Sequence, residues 1–414
     1  MATGGRVCNP SGPGILLHAT VLMAVVGMVG ATGCDLQLPS QDAVLTEPLF
    51  DAEVREVWRA GGTEERGDLV LEGLWAAAFG PGDHVAISDH VAGQLFLVGP
   101  QGNLVETVGR PGIGPGEFQA LREVGFIGDS LLWASDDQTG NLAVFSPSGD
   151  LIRTIPRPRE PIPRSPWSVA GRWLLRDGAV VGHPVGGAAG ETRGDILPVP
   201  LAFWDSEGAM EVIDWLDRPG PTNRQIPTSR GTYVSSPQPL SGAPIVGIAG
   251  GGDWFFVLDR KPAETELGRV DLRRFDTSGV LIDELEIPYR SHPVDDEVME
   301  WIEGFARVVE AQLPASVGAV TAQDVVDATW IPSRLPPVRE ALADSSGFWL
   351  MRERAQPGIW ERYDLDGNLL ARVELDSGFQ GLASDVSYLV GYGRDELNVP
   401  VLYKYSVTMV PATD

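Results

Sequence analysis

Cysteine is nearly missing: 414 residues contain two, Cys8 and Cys34. They form no CxxC pair and no disulfide framework, which excludes a cysteine-rich zinc site and a disulfide-stapled fold. Histidine is scarce too, at five residues. His84 and His90 stand beside Asp83 and Asp89, but a metal needs three or four converging ligands. His183 and His292 lie far off in the sequence. No Gly-x-Ser-x-Gly run is present, so no nucleophile motif supports acyl transfer. Basic runs stop at dipeptide length against a net charge of -26. A chain this acidic repels phosphate backbones, so nucleic acid is not an expected partner.

Long apolar stretches are also rare. ILLHATVLMAVVGMVG at 15–30 follows a weakly basic start at Arg6 and is broken by His18 and several glycines. It reads as a signal-peptide core and not as a membrane span. Ala-Thr-Gly-Cys follows at 31–34. Small residues directly before Cys34 resemble a bacterial lipobox, with Ala31 where leucine is commoner. That resemblance implies cleavage before Cys34 and acylation of it, with the two or more chains that stable anchoring needs. The alternative is an ordinary signal peptide that leaves Cys34 a free thiol. Residues 35–50 lack periodicity and read as a tether.

What is present points to one architecture. The chain holds 50 Gly and 33 Pro, with 43% hydrophobic residues and 12 Trp. Turns are plentiful and the core material is ample, as in an all-β protein. LLWASDDQTGNLAVFSPSGDLIRTI at 131–155 reads as three short strands with polar turns. The pattern recurs at 84–108, 270–287 and 358–375, more loosely at 200–215. Recurrence at this spacing means stacked supersecondary units. The units fall at about 69–108, 120–155, 167–215, 232–287 and 334–375. AEVREVWRAGG at 52–62 matches only the last strand of a unit, and 382–407 supplies first strands with no last one. Joining the two fragments completes a sixth unit and closes a ring, which removes exposed sheet edges.

The repeats resemble NHL-type six-bladed β-propellers. In that family an aspartate follows the second strand, as Asp89 and Asp136 do. A glycine turn precedes the outermost strand, as at Gly102, Gly149, Gly208, Gly279 and Gly367. GRPGIGPGEF at 109–118 is similar to the family's inter-blade segment. It lacks the Gly-Lys-Ser/Thr ending of a phosphate loop. Units three and four depart from the pattern, being longer and lacking the Asp. The C-terminal third resembles uncharacterised bacterial propeller lipoproteins. The expected fold is therefore all-β: a six-bladed β-propeller over 51–410, closed by N- and C-terminal strands sharing a blade. Signal peptide 1–33 and tether 34–50 precede it.

Two insertions break the regularity. Residues 216–244 are rich in Pro, Ser, Thr and Gly and read as a long loop. Residues 292–331 carry a helical stripe of Val294, Val298, Trp301, Ile302, Phe305, Val308 and Val309. Thr321 is the expected N-cap of a second, shorter helix. The helices are either a lid over one channel mouth or packing on the propeller's side.

Propeller lactonases and phosphotriesterases resemble this architecture and hold calcium through Glu, Asn and Asp at the starts of inner strands. The corresponding positions here fall near Glu72, Arg122, Glu123, Arg339, Glu340 and Asp385. Arginines there repel a cation and suit a carboxylate or phosphate group. No cofactor is therefore expected, with calcium the alternative. The expected function is non-catalytic: an envelope lipoprotein, monomeric, that binds a protein, peptide or glycan. The alternative is a calcium-dependent, lactonase-like hydrolase or lyase.

Overall fold

The computed structural model describes residues 47–411 except 64–68, 129–130, 157, 164, 166, 185–197, 222, 314–315, 317, 354–357 and 377. The expected leader, Cys34 and most of the tether lie outside the described residues. The chain forms a six-bladed β-propeller of antiparallel sheets, each running outward from the axis. Blade 1 comprises Leu74–Phe79, Val85–Asp89, Gln94–Val98 and Leu104–Val108. Blade 2 comprises Leu121–Ile127, Leu131–Asp136, Asn141–Phe145 and Leu151–Pro156. In blade 3 the strands are Ser168–Leu174, Val180–Pro184, Val199–Trp204 and Met210–Leu216. Blade 4 holds Ile245–Ile248, Trp254–Asp259, Leu267–Asp276 and Leu281–Arg290. Blade 5 holds Val338–Asp344, Gly347–Arg352, Gly358–Asp364 and Leu369–Leu375. Gln380–Asp385, Tyr388–Arg394 and Pro400–Pro411 begin blade 6, and Phe50–Gly61 completes it as the outermost strand.

That shared blade is the closure expected from the two sequence fragments. Phe50–Gly61 pairs with Pro400–Pro411 from Phe50↔Pro411 to Gly61↔Val401, with one slip between Glu56 and Trp58. The glycine turns also follow the reading. Gly102, Gly149, Gly208, Gly279 and Gly367 have φ between 79° and 89°, a region closed to most side chains. Aspartate side chains fold the same turns. Asp276 Oδ1 accepts from the amides of Ser278 and Val280, and Asp364 Oδ1 from those of Asp366 and Asn368, which is turn chemistry open to Asp but not to an apolar residue.

The apolar core lies in the seams between blades. Leu95, Phe118, Leu121, Phe126 and Phe145 fill the seam of blades 1 and 2. Trp133, Trp173, Trp204 and Phe255 link blades 2, 3 and 4. Phe256, Leu272, Phe348 and Tyr363 join blades 4 and 5, and Trp349, Trp360, Phe379 and Leu389 join blades 5 and 6. Trp58, Ile87, Phe96 and Val390 close blade 6 on blade 1. Truncating a fully buried tryptophan such as Trp133 costs about 3–5 kcal/mol. Blade 5 adds a buried ion pair, Arg362 with Asp344, bonded twice at 2.8 Å. It costs desolvation, and removing one partner strands the other charge at about 3–5 kcal/mol.

Three readings need correction. Blade 4 begins at Ile245 and not near 232: Tyr233–Pro237 pairs instead with Asn223–Pro227 in a hairpin. The 216–244 stretch is thus a folded insertion, in which Ile226 and Val234 pack on helical residues Ala306, Val309 and Val325. The proline-rich composition concealed a short alternation. Blade 4 also has an aspartate, Asp259, at the end of its second strand.

The helices form as the stripe predicts. Asp295 caps Asp296–Gln312 by accepting from the Val298 amide at 3.0 Å. Thr321 caps Ala322–Asp327 in a reciprocal box with Asp324. Both insertions connect an outermost strand to the next inner strand, so both rise from the face where inner strands begin.

Deleting Phe50–Gly61 should leave the Pro400–Pro411 edge open and produce associating or aggregated material. Light scattering after size exclusion reads this directly; a profile unchanged from the full chain would contradict the closure.

Candidate functional site

Repeat aspartates fix the ring around the mouth. Asp89 is fully buried; its carboxylate accepts from the amides of Glu72, Gly73, Val91 and Ala92. Asp136 does the same for Gln119, Ala120, Gln138 and Thr139. Each therefore staples the strap entering its blade to the hairpin turn of that blade, and the inner strand starts at a fixed height. Several amide donors satisfy a buried carboxylate by hydrogen bonding alone.

Strand pairing then aims the side chains. In blades 1, 2, 5 and 6 the inner strand slips against its neighbour near the strand start, and in blade 3 it slips past the middle, between Gly171 and Trp173. The residues passed over are Trp75, Arg122 with Glu123, Arg172, Arg339 and Leu382. A bulge turns out a side chain that strict alternation would bury in a seam. Trp75, Arg122, Glu123 and Arg339 thus share one end of the inner strands, Arg172 reaches them from deeper in blade 3, and Leu382 packs into the seam of blades 6 and 1. Arg159–Pro161 adds a fifth strand to the axial edge of blade 3 at the same end. At the opposite end the Gly250–Gly252 turn of blade 4 sits close to the inner strands of blades 1, 2 and 6, across the axis from its own blade.

On one side of the mouth, Glu123 Oε1 accepts from Arg172 Nε at 2.7 Å and from Trp75 Nε1 at 3.3 Å. Arg172 Nη1 lies 2.8 Å from His183 Nε2, and His183 Nδ1 lies 2.7 Å from the Pro184 carbonyl. A guanidinium can only donate. His183 is therefore the neutral tautomer with its proton on Nδ1, and its lone pair is occupied. The Arg122 guanidinium lies 4.0 Å from the Trp75 ring centre, with Nε 3.0 Å from Asp137 Oδ2.

On the other side, Glu340 Oε2 accepts from the Gly381 amide at 2.8 Å, with Arg339 at 3.6 Å. Burial pushes the Glu340 carboxyl up, against Arg339 and the Gly381 bond. Arg260 is held by the carbonyls of Ala243 and Val338, tying the hairpin insertion to the start of blade 5. Burial lowers its pKa.

Of the residues named from sequence, Arg122, Glu123, Arg339 and Glu340 lie on inner strands at this end. Glu72 lies on the strap just before blade 1, with an exposed side chain. Asp385 does not belong with them: it ends its inner strand and lies at the opposite face. The unit alignment had put the start of blade 6 too late. Trp75 and Arg172 were missed, because only strand register reveals a bulge, and His183, set apart from the other histidines in sequence, meets Arg172. His84 and His90 flank opposite ends of Val85–Asp89, each bonded to a backbone carbonyl of a nearby turn, so they cannot converge on one ion.

The residues do not fit a channel calcium. Glu123 and Glu340 are the carboxylates on these strand starts, each already engaged, and Arg122, Arg172 and Arg339 stand among them. Among the described residues no group of three or more His, Cys, Asp or Glu is placed to hold a metal.

Replacing Glu340 with Gln keeps an acceptor for Gly381 and removes the charge. A raised carboxyl contributes stability below the ordinary carboxylate pKa that is lost as pH rises through the raised value. The variant's melting temperature relative to wild type should therefore rise between acidic and neutral pH. A difference that falls with pH would show Arg339 outweighing burial.

No family model matches this chain, and no curated protein sequence does. Solved structures share its fold at low similarity. One is a protein of Bacteroides fragilis, 11% identical, covering 87% of this chain and 95% of that one, with TM-score 0.45. Regucalcin, a calcium-binding protein from Agrobacterium tumefaciens, is 12% identical over 87% and 96%, at 0.41. Virginiamycin B lyase from Staphylococcus aureus is 11% identical over 86% and 99%, at 0.38. Likeness at this level carries no activity across.

Proposed function

We propose that this chain is an NHL-type propeller lipoprotein of the bacterial envelope. In this reading it is anchored through Cys34 and uses its channel mouth as a non-catalytic site for a carboxylate-bearing protein or peptide segment. One observation carries the binding reading. The carboxylates at the bulged strand starts are already held, Glu123 by Arg172 and Trp75, Glu340 by the Gly381 amide. Arg339 remains 44% exposed there, and Arg159 is exposed on the strand added to blade 3. Exposed guanidinium groups favour carboxylates and planar groups. A rigid ring holding loops and insertions around such a mouth suits recognition. The anchor rests on the Ala-Thr-Gly-Cys run at 31–34. No described helix is long and apolar enough to cross a membrane.

Calorimetry of calcium into residues 36–414, with melts in chelator, is expected to give neither heat nor a shift. Tight binding with a large loss of melting temperature on chelation would replace this reading with a calcium-dependent hydrolase or lyase. A photo-crosslinking residue at Arg339 should give adducts in the envelope, while one at Val105 on the outer strand of blade 1 should not. Equal labelling at both positions would remove the mouth as the site.

Cys34→Ser should move the protein from the membrane to the soluble envelope fraction on cell fractionation. Unchanged membrane association would count against the lipid anchor alone.

A further inference from the structure

Arg339 and Glu340 are consecutive in the inner strand of blade 5, and consecutive strand residues ordinarily point to opposite faces. The register slip at Arg339 brings its Nε back to 3.6 Å from Glu340 Oε1. That is a charge contact without a hydrogen bond, and among the described residues Arg339 makes no hydrogen bond. Other arginines at this end are held: Arg172 by Glu123, Arg122 by Asp137, Arg260 by two carbonyls. The Arg339 side chain is 44% exposed, so its fork of donors is open to a ligand.

Glu340 is set deeper, with 21% of its side chain exposed. Burial and the charge of Glu353, just past the neighbouring strand, favour the neutral acid. Arg339 and the Gly381 amide of blade 6 favour the carboxylate. Tyr392 faces Glu340 from the second strand of blade 6; burial pushes its phenol up, and it donates to Gln380 Oε1 at 2.6 Å. Behind these groups Arg394 faces Tyr392 and Arg260 faces Glu353. Burial prevails, and Glu340 titrates above the ordinary carboxylate range.

We propose that Glu340 is a proton-operated gate on Arg339. Protonated, it leaves the guanidinium to a ligand carboxylate; ionised, it neutralises the guanidinium and repels that carboxylate. The gate rests on the reading of the mouth as a site for carboxylates and adds its regulation. The state that binds the anion is the state that holds the proton. Affinity is therefore highest below the raised Glu340 value and falls as pH rises through it. Reciprocally, a bound carboxylate makes Glu340 hold its proton more tightly. A like charge within ~6 Å changes a carboxyl's proton affinity about tenfold, and the ligand's affinity changes by the same factor.

The test is NMR titration of the full mature chain with millimolar benzoate between pH 5 and 8, repeated with benzenesulfonate, which stays ionised throughout. Affinity for both probes should fall about tenfold across the range. Glu340→Gln keeps an acceptor for the Gly381 amide and should bind both probes independently of pH. Glu353→Gln should keep the fall and move it to lower pH, because a charge favouring the neutral acid is gone. Carbon-detected titration should show the Glu340 midpoint raised by bound benzenesulfonate, and Arg339→Ala should abolish binding, with melting curves confirming that each variant folds. Equal affinities at pH 5 and pH 8 would overturn the gate and leave the mouth reading standing. So would a fall that survives Glu340→Gln, or binding that survives Arg339→Ala. Absence of binding of both probes at every pH, in wild type and in Glu340→Gln, would overturn the mouth reading and the gate with it.

Discussion

The structure depends on ring closure by one strand pair. Each blade buries its apolar residues only against its two neighbours, so an open chain of blades leaves two blade faces uncovered and two strand edges exposed. Pairing Phe50–Gly61 with Pro400–Pro411 removes both faults at once, because it makes blade 6 from both ends of the described chain. Trp58 and Ala60 on the closing strand are buried with Ile87, Phe96 and Val390. The contact that closes the sheet therefore also completes the core between blades 6 and 1. Closure couples residues far apart in sequence, so its loop entropy is recovered only when the whole ring is in place.

With the ring shut, small local devices set the mouth. Asp89 and Asp136 use backbone amides from two segments each to hold straps and turns together. Bulges in the inner strands then turn out Trp75, Glu123, Arg172 and Arg339. Without the slip in register these side chains would follow the alternation into the seams. The mouth is accordingly rigid and rich in paired charge. His183 has both ring nitrogens engaged, and Glu123 is tied to a guanidinium and an indole. Glu340 keeps a raised carboxyl through burial beside a single arginine.

The insertions extend the same face. The Asn223–Pro227 and Tyr233–Pro237 hairpin and the two helices share a small apolar core of their own. Within it Arg224 is almost fully buried, bonded to Thr329 at 2.7 Å and set over the Phe305 ring at 4.7 Å. Burial pulls its pKa down to about 10. A cation held by hydroxyls and a ring, with no carboxylate against it, is costly to bury.

What the sequence by itself determined was the architecture. Period-two alternation, glycine at left-handed turn positions and complementary half units at 52–62 and 382–407 identify strands, turns and closure, because each is a local or pairwise property of the chain. The helix stripe from Val298 to Val309 and the Thr321 cap are legible for the same reason. Only the tertiary structure decided which side chains meet. Arg172 and His183 carry no motif, and Glu123 meets Trp75 and Arg172 through bulges in three blades. A bulge is invisible in sequence because inserting one residue changes register without changing composition. Asp385 was misplaced because the blade 6 inner strand begins at Gln380 in a segment without strong alternation. The hairpin in 216–244 became a strand pair because helical residues cover its apolar face. Its stability comes from that packing and not from its own propensities.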